Sequence, residues 1–178
     1  MSIDANTREQ PKEVLQAMEV HDGWIRHFRG SENQPFYDLA FDYIASEFGT
    51  PGEEPVVDAG CGSGTKSLQL ARRGYRVLGL DLSHSILDQA RAAADSLGVG
   101  QHTEFRQGDL TKIDLPTHST SRAMCWGVLM HVPDIAAAVA ELARIVKPGG
   151  KLIISEGNKR SLQAGFLRGL KEIGRAHV

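Results

Sequence analysis

Cysteine is scarce in this sequence of 178 residues, with only Cys61 and Cys125 present. The two cysteines do not form a Cys-x-x-Cys pair, and no histidines or cysteines follow the spacing of a zinc site. These absences exclude disulfide-stapled scaffolds and common zinc modules. Two unpaired cysteines in a chain of this length are typical of a reducing compartment, so we expect no metal site and a cytoplasmic location.

Long apolar runs and a strong charge of one sign are also missing. No run approaches the roughly 18 residues of a membrane span, and the formal net charge is −2. The first 13 residues are polar and mixed in charge, without the apolar core of a signal peptide. We therefore expect neither a membrane nor a nucleic acid as partner. The sequence does not indicate an oligomeric state.

From Pro55 onward, short apolar runs alternate with longer stretches of helical periodicity. Strand-helix alternation predicts an α/β fold with a doubly wound, mainly parallel sheet. Hydrophobic residues make up 41% of the chain and charged residues 24%, which is ordinary for one globular domain. The predicted strands span residues 55–58, 75–81, 103–107, 121–126 and 151–155.

Residues 1–52 predict a helical segment ahead of this alternation. One helix is expected over about 35–48, where Gly49 and Pro51 follow as breakers. Two interpretations stay open for the segment: a helical layer packed on the core, or a cap that forms a lid over a ligand. The residues expected on the inner face of this helix are Phe36, Leu39, Ala40, Tyr43, Ile44 and Phe48.

A glycine-rich turn, with Gly60, Gly62 and Gly64, follows the first predicted strand and opens a helix. Glycines allow positive φ and close approach of the backbone to a ligand. Asp81 ends the second strand, where a carboxylate can accept both hydroxyls of a ribose. The alternatives are a tight turn without ligand and an acid that only begins the next helix. Ser83 is the expected N-cap of that helix and would leave Asp81 free.

Three further motifs separate an adenosyl site from a nicotinamide site. Asp58 precedes the glycines, Asp109 follows strand three in Gly-Asp-Leu, and 148–150 read Pro-Gly-Gly before strand five. Together these residues resemble the class I S-adenosylmethionine-dependent methyltransferases of the small-molecule branch, over residues 55–157. The resemblance implies a Rossmann-like sheet of order 3-2-1-4-5, S-adenosylmethionine as cofactor and methyl transfer to a small-molecule acceptor.

The family's sheet usually ends in an antiparallel hairpin of strands six and seven, which we do not find. We therefore expect the sequence to be a fragment that lacks this hairpin. Residues 53–171 would form the cofactor-binding domain, and residues 172–178 would be a non-native tail.

The resemblance implies that the glycine turn holds the methionine part of the cofactor. Gly60, Gly62 and the backbone of Cys61 between them would contact it, with Asp58 nearby. Cys61 fills a small-residue position, although a helix N-terminus could also activate its thiol. A backbone carbonyl at Trp126 would face the methionine amino group. Its indole could lie near the sulfonium, or simply form core or pocket wall.

The resemblance assigns the nucleoside to the ends of strands two and three. Asp81 would bind the ribose, and Leu82 would pack on the adenine. Asp109 would accept from the adenine amino group, with the Leu110 backbone beside it.

His131, in the loop after strand four, is the one candidate general base. Methyl transfer from a sulfonium is an in-line displacement, so a base helps only an acceptor that must lose a proton. The alternative is a histidine with a structural role. Two other functions stay open: an NAD(P)-dependent oxidoreductase, and a fold that binds S-adenosylmethionine without catalysis.

Overall fold

The computed structural model describes residues 34–157, which form a five-stranded sheet covered by helices on both faces. The strands are β1 (Val56–Ala59), β2 (Val77–Asp81), β3 (Thr103–Gln107), β4 (Thr120–Trp126) and β5 (Val146–Ser155). The helices are α1 (Gln34–Phe48), α2 (Thr65–Ala71), α3 (His84–Ser96) and α4 (Ile135–Ile145). Short 3-10 turns span Gly100–His102 and Leu129–His131.

All five strands are parallel, and their order is β3-β2-β1-β4-β5. Val57 of β1 lies beside Leu78 of β2 on one side and beside Ala123 of β4 on the other. The chain adds strands on one side of β1 as far as β3 and then crosses to place β4 on the other side. The order in which strands are added therefore reverses between β1 and β4. The predicted fold class and strand order are confirmed. Such a switch point opens a crevice at the carboxyl ends of the strands.

The core follows the alternation of side chains along each strand. Val57 and Ala59 pack with Leu142 of α4 on one face. Val56 packs on the other face, where α1 and α2 supply a separate cluster. A third cluster joins α3 to Phe105 of β3. Because β1 is covered on both faces, it reads as a fully buried strand.

Helix α1 buries only part of the stripe that was expected: Ile44 and Phe48 are buried as predicted, but three other members of the stripe are exposed. Phe36, Leu39 and Tyr43 are 60%, 74% and 66% exposed. The buried residues are Tyr37, Phe41, Ile44 and Phe48. Apolar residues occur on both sides of this helix, so periodicity alone does not choose between two stripes. The contact of Phe41 with Trp126, whose rings stack 5.5 Å apart, fixes the inner face.

Several predictions concern residues outside 34–157. They are the earlier helical part of the segment 1–52, the tail at 172–178 and the absence of a hairpin after β5. The boundaries at 52 and 171 and the lid interpretation stay predictions, although α1 itself packs on the sheet. Within the described part, no helix is long and apolar enough to span a bilayer.

Phe41→Ala tests the packing of α1 on the sheet. Phe41 is fully buried, so its truncation should lower the free energy of unfolding by about 3–5 kcal/mol. Leu39→Ala, on the exposed stripe of the same helix, should change it by less than about 0.5 kcal/mol. Urea denaturation followed by circular dichroism measures both. Equal losses in the two variants would contradict the assigned face.

Candidate cofactor site

The glycine turn between β1 and α2 is built from left-handed backbone. Gly60, Gly62 and Gly64 have φ of 78°, 53° and 78°, a region that L side chains rarely adopt. The amides of Gly60 and Cys61 both donate to the carbonyl oxygen of Leu80, at 2.7 and 2.9 Å. These bonds hold the turn against the carboxyl end of β2, where the predicted ribose acid lies.

The packing of Val128 also requires a glycine at position 60. A Cβ at this position would lie 2.4 Å from Cγ1 of Val128, in the loop after β4. Real Cβ contacts are not this short, so the loop packs on the turn only because residue 60 has no side chain. The turn and the β4–α4 loop therefore share one surface at the switch point.

Asp81 joins the glycine turn and the start of α3 through its carboxylate, and the end of β3 through its backbone oxygen. Oδ2 accepts from the amide of Gly62 at 2.9 Å, and Oδ1 accepts from the amide of Ser83 at 3.0 Å. The backbone oxygen of Asp81 accepts from Gly108, after β3, at 2.9 Å. A carboxylate has about four lone-pair sites, so each oxygen keeps capacity for a ribose hydroxyl.

The expectation that Ser83 caps α3 and leaves Asp81 free is wrong in its chemistry. Ser83 is the N-cap residue, but its side chain makes no capping bond. Its hydroxyl pairs with that of Ser85 at 3.1 Å, while the carboxylate of Asp81 accepts the Ser83 amide. The carboxylate of Asp81 therefore holds the N-cap residue of α3 and the glycine turn at the same time.

Asp58 lies buried in β1 beneath the glycine turn, with 2% of its surface exposed. The hydroxyl of Ser67 donates to its Oδ2 at 2.5 Å. Burial raises the pKa of Asp58 to about 6, against the lowering effects of the Ser67 hydrogen bond and of Lys66. Asp81 adds a further, smaller rise in that pKa. The two predicted acids therefore share one electrostatic environment.

The predicted adenine side lies at the ends of β2 and β3. The carbonyl oxygen of Leu82 accepts from Nε2 of Gln107 at 2.9 Å. Oδ1 of Asp109 accepts from the amide and the hydroxyl of Thr111, at 2.9 and 2.7 Å. The side chain of Leu110 is buried in the core, so only its backbone is placed to line the site.

The side chains of Cys61 and Trp126 both pack against hydrophobic residues. Cys61 is buried in the cluster with Phe105, and burial raises the pKa of its thiol well above the ordinary value. An activated thiol is therefore not what this residue provides. The indole of Trp126 stacks on Phe41 and meets Phe36 edge to face, at centroid distances of 5.5 and 6.3 Å. It forms part of the wall between β4 and α1.

His131 ends the short turn after β4 and is half buried. Burial lowers the pKa of its imidazole, and the nearby carboxylate of Glu156 opposes that shift. Sequence reasoning missed Glu156, which follows the carboxyl end of β5, although that position already pointed to the site edge. It also missed Val128 and Ser67, whose roles depend on contacts across the fold.

The described residues contain no group of three or more His, Cys, Asp or Glu placed to hold a metal ion. The site is instead a backbone cradle flanked by two carboxylates. Left-handed glycines, a buried acid and an acid at the end of β2 fit a ligand with an amino acid part and a nucleoside part.

A comparison with protein families matches residues 57–154 to the family described as a methyltransferase domain. The chain belongs to the class I S-adenosylmethionine-dependent methyltransferases. S-adenosylmethionine is the cofactor of this family. The resemblance drawn from the sequence motifs is thereby confirmed, whereas the roles of individual site residues stay predictions.

Two curated relatives are ubiquinone biosynthesis O-methyltransferases. The protein of Alkalilimnicola ehrlichii is 37% identical over 72% of this chain and 53% of its own length. That of Hahella chejuensis is 34% identical over 72% of this chain and 55% of its own length. The chain thus spans about half the length of these relatives.

Solved structures show the same fold. A putative S-adenosylmethionine-dependent methyltransferase of Methanococcus maripaludis superposes with a TM-score of 0.70, at 24% identity over 100% of this chain and 81% of its own. The cyclase SpnF superposes with a TM-score of 0.64, at 26% identity over 71% of this chain and 47% of its own.

Gly60→Ala tests the contact between the turn and the loop after β4. The added methyl group would collide with Val128, and an alanine would be strained at the positive φ of this position. Binding of S-adenosylhomocysteine should therefore weaken by about tenfold or more. Val128→Ala in the same chain should restore part of the affinity. Gly49→Ala is the matched control, because φ is +71° there and a Cβ would meet nothing within 4 Å. Isothermal titration calorimetry measures all four proteins. Unchanged binding by Gly60→Ala would contradict the contact.

The buried carboxyl of Asp58 should make stability depend on pH. Its pKa rises on folding from 3.8 to about 6, so its stabilising contribution is complete below 3.8 and is lost as pH rises through about 6. Asp58→Asn removes this titration. When the pH is raised from 4 to above 7, the free energy of unfolding of the parent should fall by up to about 3 kcal/mol more than that of Asp58→Asn. Urea unfolding from pH 4 to 8 gives the difference. Parallel pH profiles for the two proteins would refute the raised pKa.

Proposed function

We propose that this chain carries the catalytic domain of an enzyme that transfers a methyl group from S-adenosylmethionine to a small-molecule acceptor. The observation that carries the proposal is the carboxylate of Asp81, which is tied to the amide of Gly62 in the turn and faces the predicted ribose position. The match to the methyltransferase domain and the O-methyltransferase relatives support the same reaction.

Each part of the proposed site has a separate task. The cofactor supplies an already activated methyl group when bound. The backbone of the glycine turn borders its methionine end, with the buried carboxylate of Asp58 beneath the turn. Asp81 binds the ribose, and Leu82 with Asp109 borders the adenine. Because displacement is in line, these residues accelerate it mainly by fixing position and excluding water.

His131 is proposed as the general base for acceptors that must lose a proton. It lies in the loop whose Val128 packs on Gly60, so it belongs to the same surface as the methionine end of the cradle. Burial lowers the pKa of its imidazole below 6.5, and the neutral form therefore predominates at pH 7. A neutral imidazole is able to take a proton from a hydroxyl or amine.

The acceptor is proposed to be a small molecule rather than a nucleic acid or a membrane component. The wall beside the end of β4 is aromatic, with Trp126 set between Phe36 and Phe41. That wall suits an apolar or aromatic acceptor more than a polyanion. Both cysteines are free and buried, which supports the cytoplasm as the proposed location.

A second candidate function is a reaction on the same fold without methyl transfer. The similarity to the cyclase SpnF is the observation that favours it. The expected nicotinamide-dependent alternative gains nothing from the comparisons. Formation of S-adenosylhomocysteine distinguishes the two remaining candidates, because only a methyltransferase produces it from S-adenosylmethionine.

The test is transfer of a tritium-labelled methyl group to a panel of phenols, amines, isoprenoid compounds and RNA. We expect label in a phenolic or other apolar small molecule. With such an acceptor, His131→Ala should lower kcat by about 100-fold or more. The parent's kcat/KM should rise with pH through a midpoint below 6.5 and stay level above it.

Controls and contradicting outcomes are direct. His118→Ala, on the exposed loop before β4, should retain parental activity. Label found only in RNA would refute the small-molecule acceptor. Binding of S-adenosylhomocysteine without transfer to any acceptor would favour the second candidate. A parental pH profile in His131→Ala would remove this residue from the chemistry.

A further inference from the structure

Glu156, the first residue after β5, reaches across to the loop between β4 and α4. Its Oε1 accepts from the amides of Val128 and Leu129, at 2.9 and 2.7 Å. The amide of Gly127 donates to the carbonyl oxygen of Ser155 at 2.7 Å and continues the same attachment. Three consecutive amides of the loop are therefore held by the last residue of β5 and the residue that follows it. Bonds to a carboxylate are stronger than bonds to a neutral oxygen.

The anchored amides belong to the residues that place the loop. The side chain of Val128 lies over Gly60, at the distance that forbids any Cβ there. The side chain of Leu129 is buried in the core beside α4, with 6% exposed. The carboxylate of Glu156 thus fixes the point where the loop meets both the glycine turn and the core.

The same carboxylate acts on His131. The amide of His131 donates to the carbonyl oxygen of Val128 at 2.9 Å. The 3-10 turn that ends at His131 therefore starts from a residue whose amide Glu156 holds. The negative charge of Glu156 favours the charged imidazolium, whereas burial opposes it.

We propose that Glu156 is a positioning residue for methyl transfer: its carboxylate holds the β4–α4 loop so that Val128 closes on the glycine turn and His131 faces the acceptor. This inference rests on the proposed function. Glu156 touches neither the cofactor cradle nor the acceptor in this arrangement and acts through the loop. Its side chain is exposed to solvent, so screening by water limits the effect of its charge.

The test compares Glu156→Ala, Glu156→Gln and the control Glu104→Gln, an exposed acid on the distant edge strand β3 that pairs with Arg106. In Glu156→Ala, the amides of Val128 and Leu129 should lose hydrogen-exchange protection. Its affinity for S-adenosylhomocysteine should fall by about three- to tenfold. Glu156→Gln keeps an acceptor oxygen and should retain most protection and affinity. The pKa of His131, followed by NMR, should fall in both Glu156 variants and stay unchanged in Glu104→Gln.

The outcomes distinguish failure of the proposed function from failure of the positioning role of Glu156. If the parent chain does not bind S-adenosylhomocysteine, the proposed function fails, whatever Glu156 does. If the parent binds it and Glu156→Ala keeps parental affinity and exchange protection, the positioning role is overturned. A histidine pKa that stays at its parental value in Glu156→Gln would also overturn it, because a purely structural contact predicts that result. Should Glu156→Ala unfold, Glu156→Gln alone still decides through this pKa.

Discussion

The carboxylate of Asp81 is the contact on which the rest of the site depends. Its two oxygens accept the amides of Gly62 and Ser83, so one side chain connects the end of β2, the glycine turn and the start of α3. Each hydrogen bond to a charged group contributes about 1.5–3 kcal/mol when it is shielded from water. Without this carboxylate, the amide of Gly62 in the middle of the turn would lose its hydrogen-bond acceptor.

A second constraint comes from the parallel sheet. All carboxyl ends of the strands meet at one edge, so residues far apart in sequence are brought together there. Asp81 adds to the rise in the pKa of Asp58, Gly108 donates to the backbone of Asp81, and Val128 rests on Gly60. Glu156 closes the series from β5. The site is thus a line of strand ends, stabilised by contacts between neighbours.

The sequence was sufficient for the strand-helix alternation and the glycine turn, because glycine positions and apolar periodicity are local signals, and the resemblance to the family implied the strand order. It was insufficient for the inner face of α1, where both Phe36 and Phe41 fit a helical stripe and only the stacking on Trp126 separates them. The sequence correctly indicated Ser83 at the start of α3, but it did not indicate that the Ser83 amide donates to Asp81. The contacts of Glu156 and Val128 connect different strands, and no local pattern in the sequence encodes them.

The most direct test of the central claim is calorimetric titration of the chain with S-adenosylhomocysteine and with NAD. We expect S-adenosylhomocysteine to bind and NAD not to bind, and we expect Asp81→Asn to weaken the binding by about ten- to a hundredfold. Asp88→Asn, on the exposed side of α3 beside Arg91, should leave the affinity unchanged. Binding of NAD alone, or equal affinity in the parent and Asp81→Asn, would contradict the account.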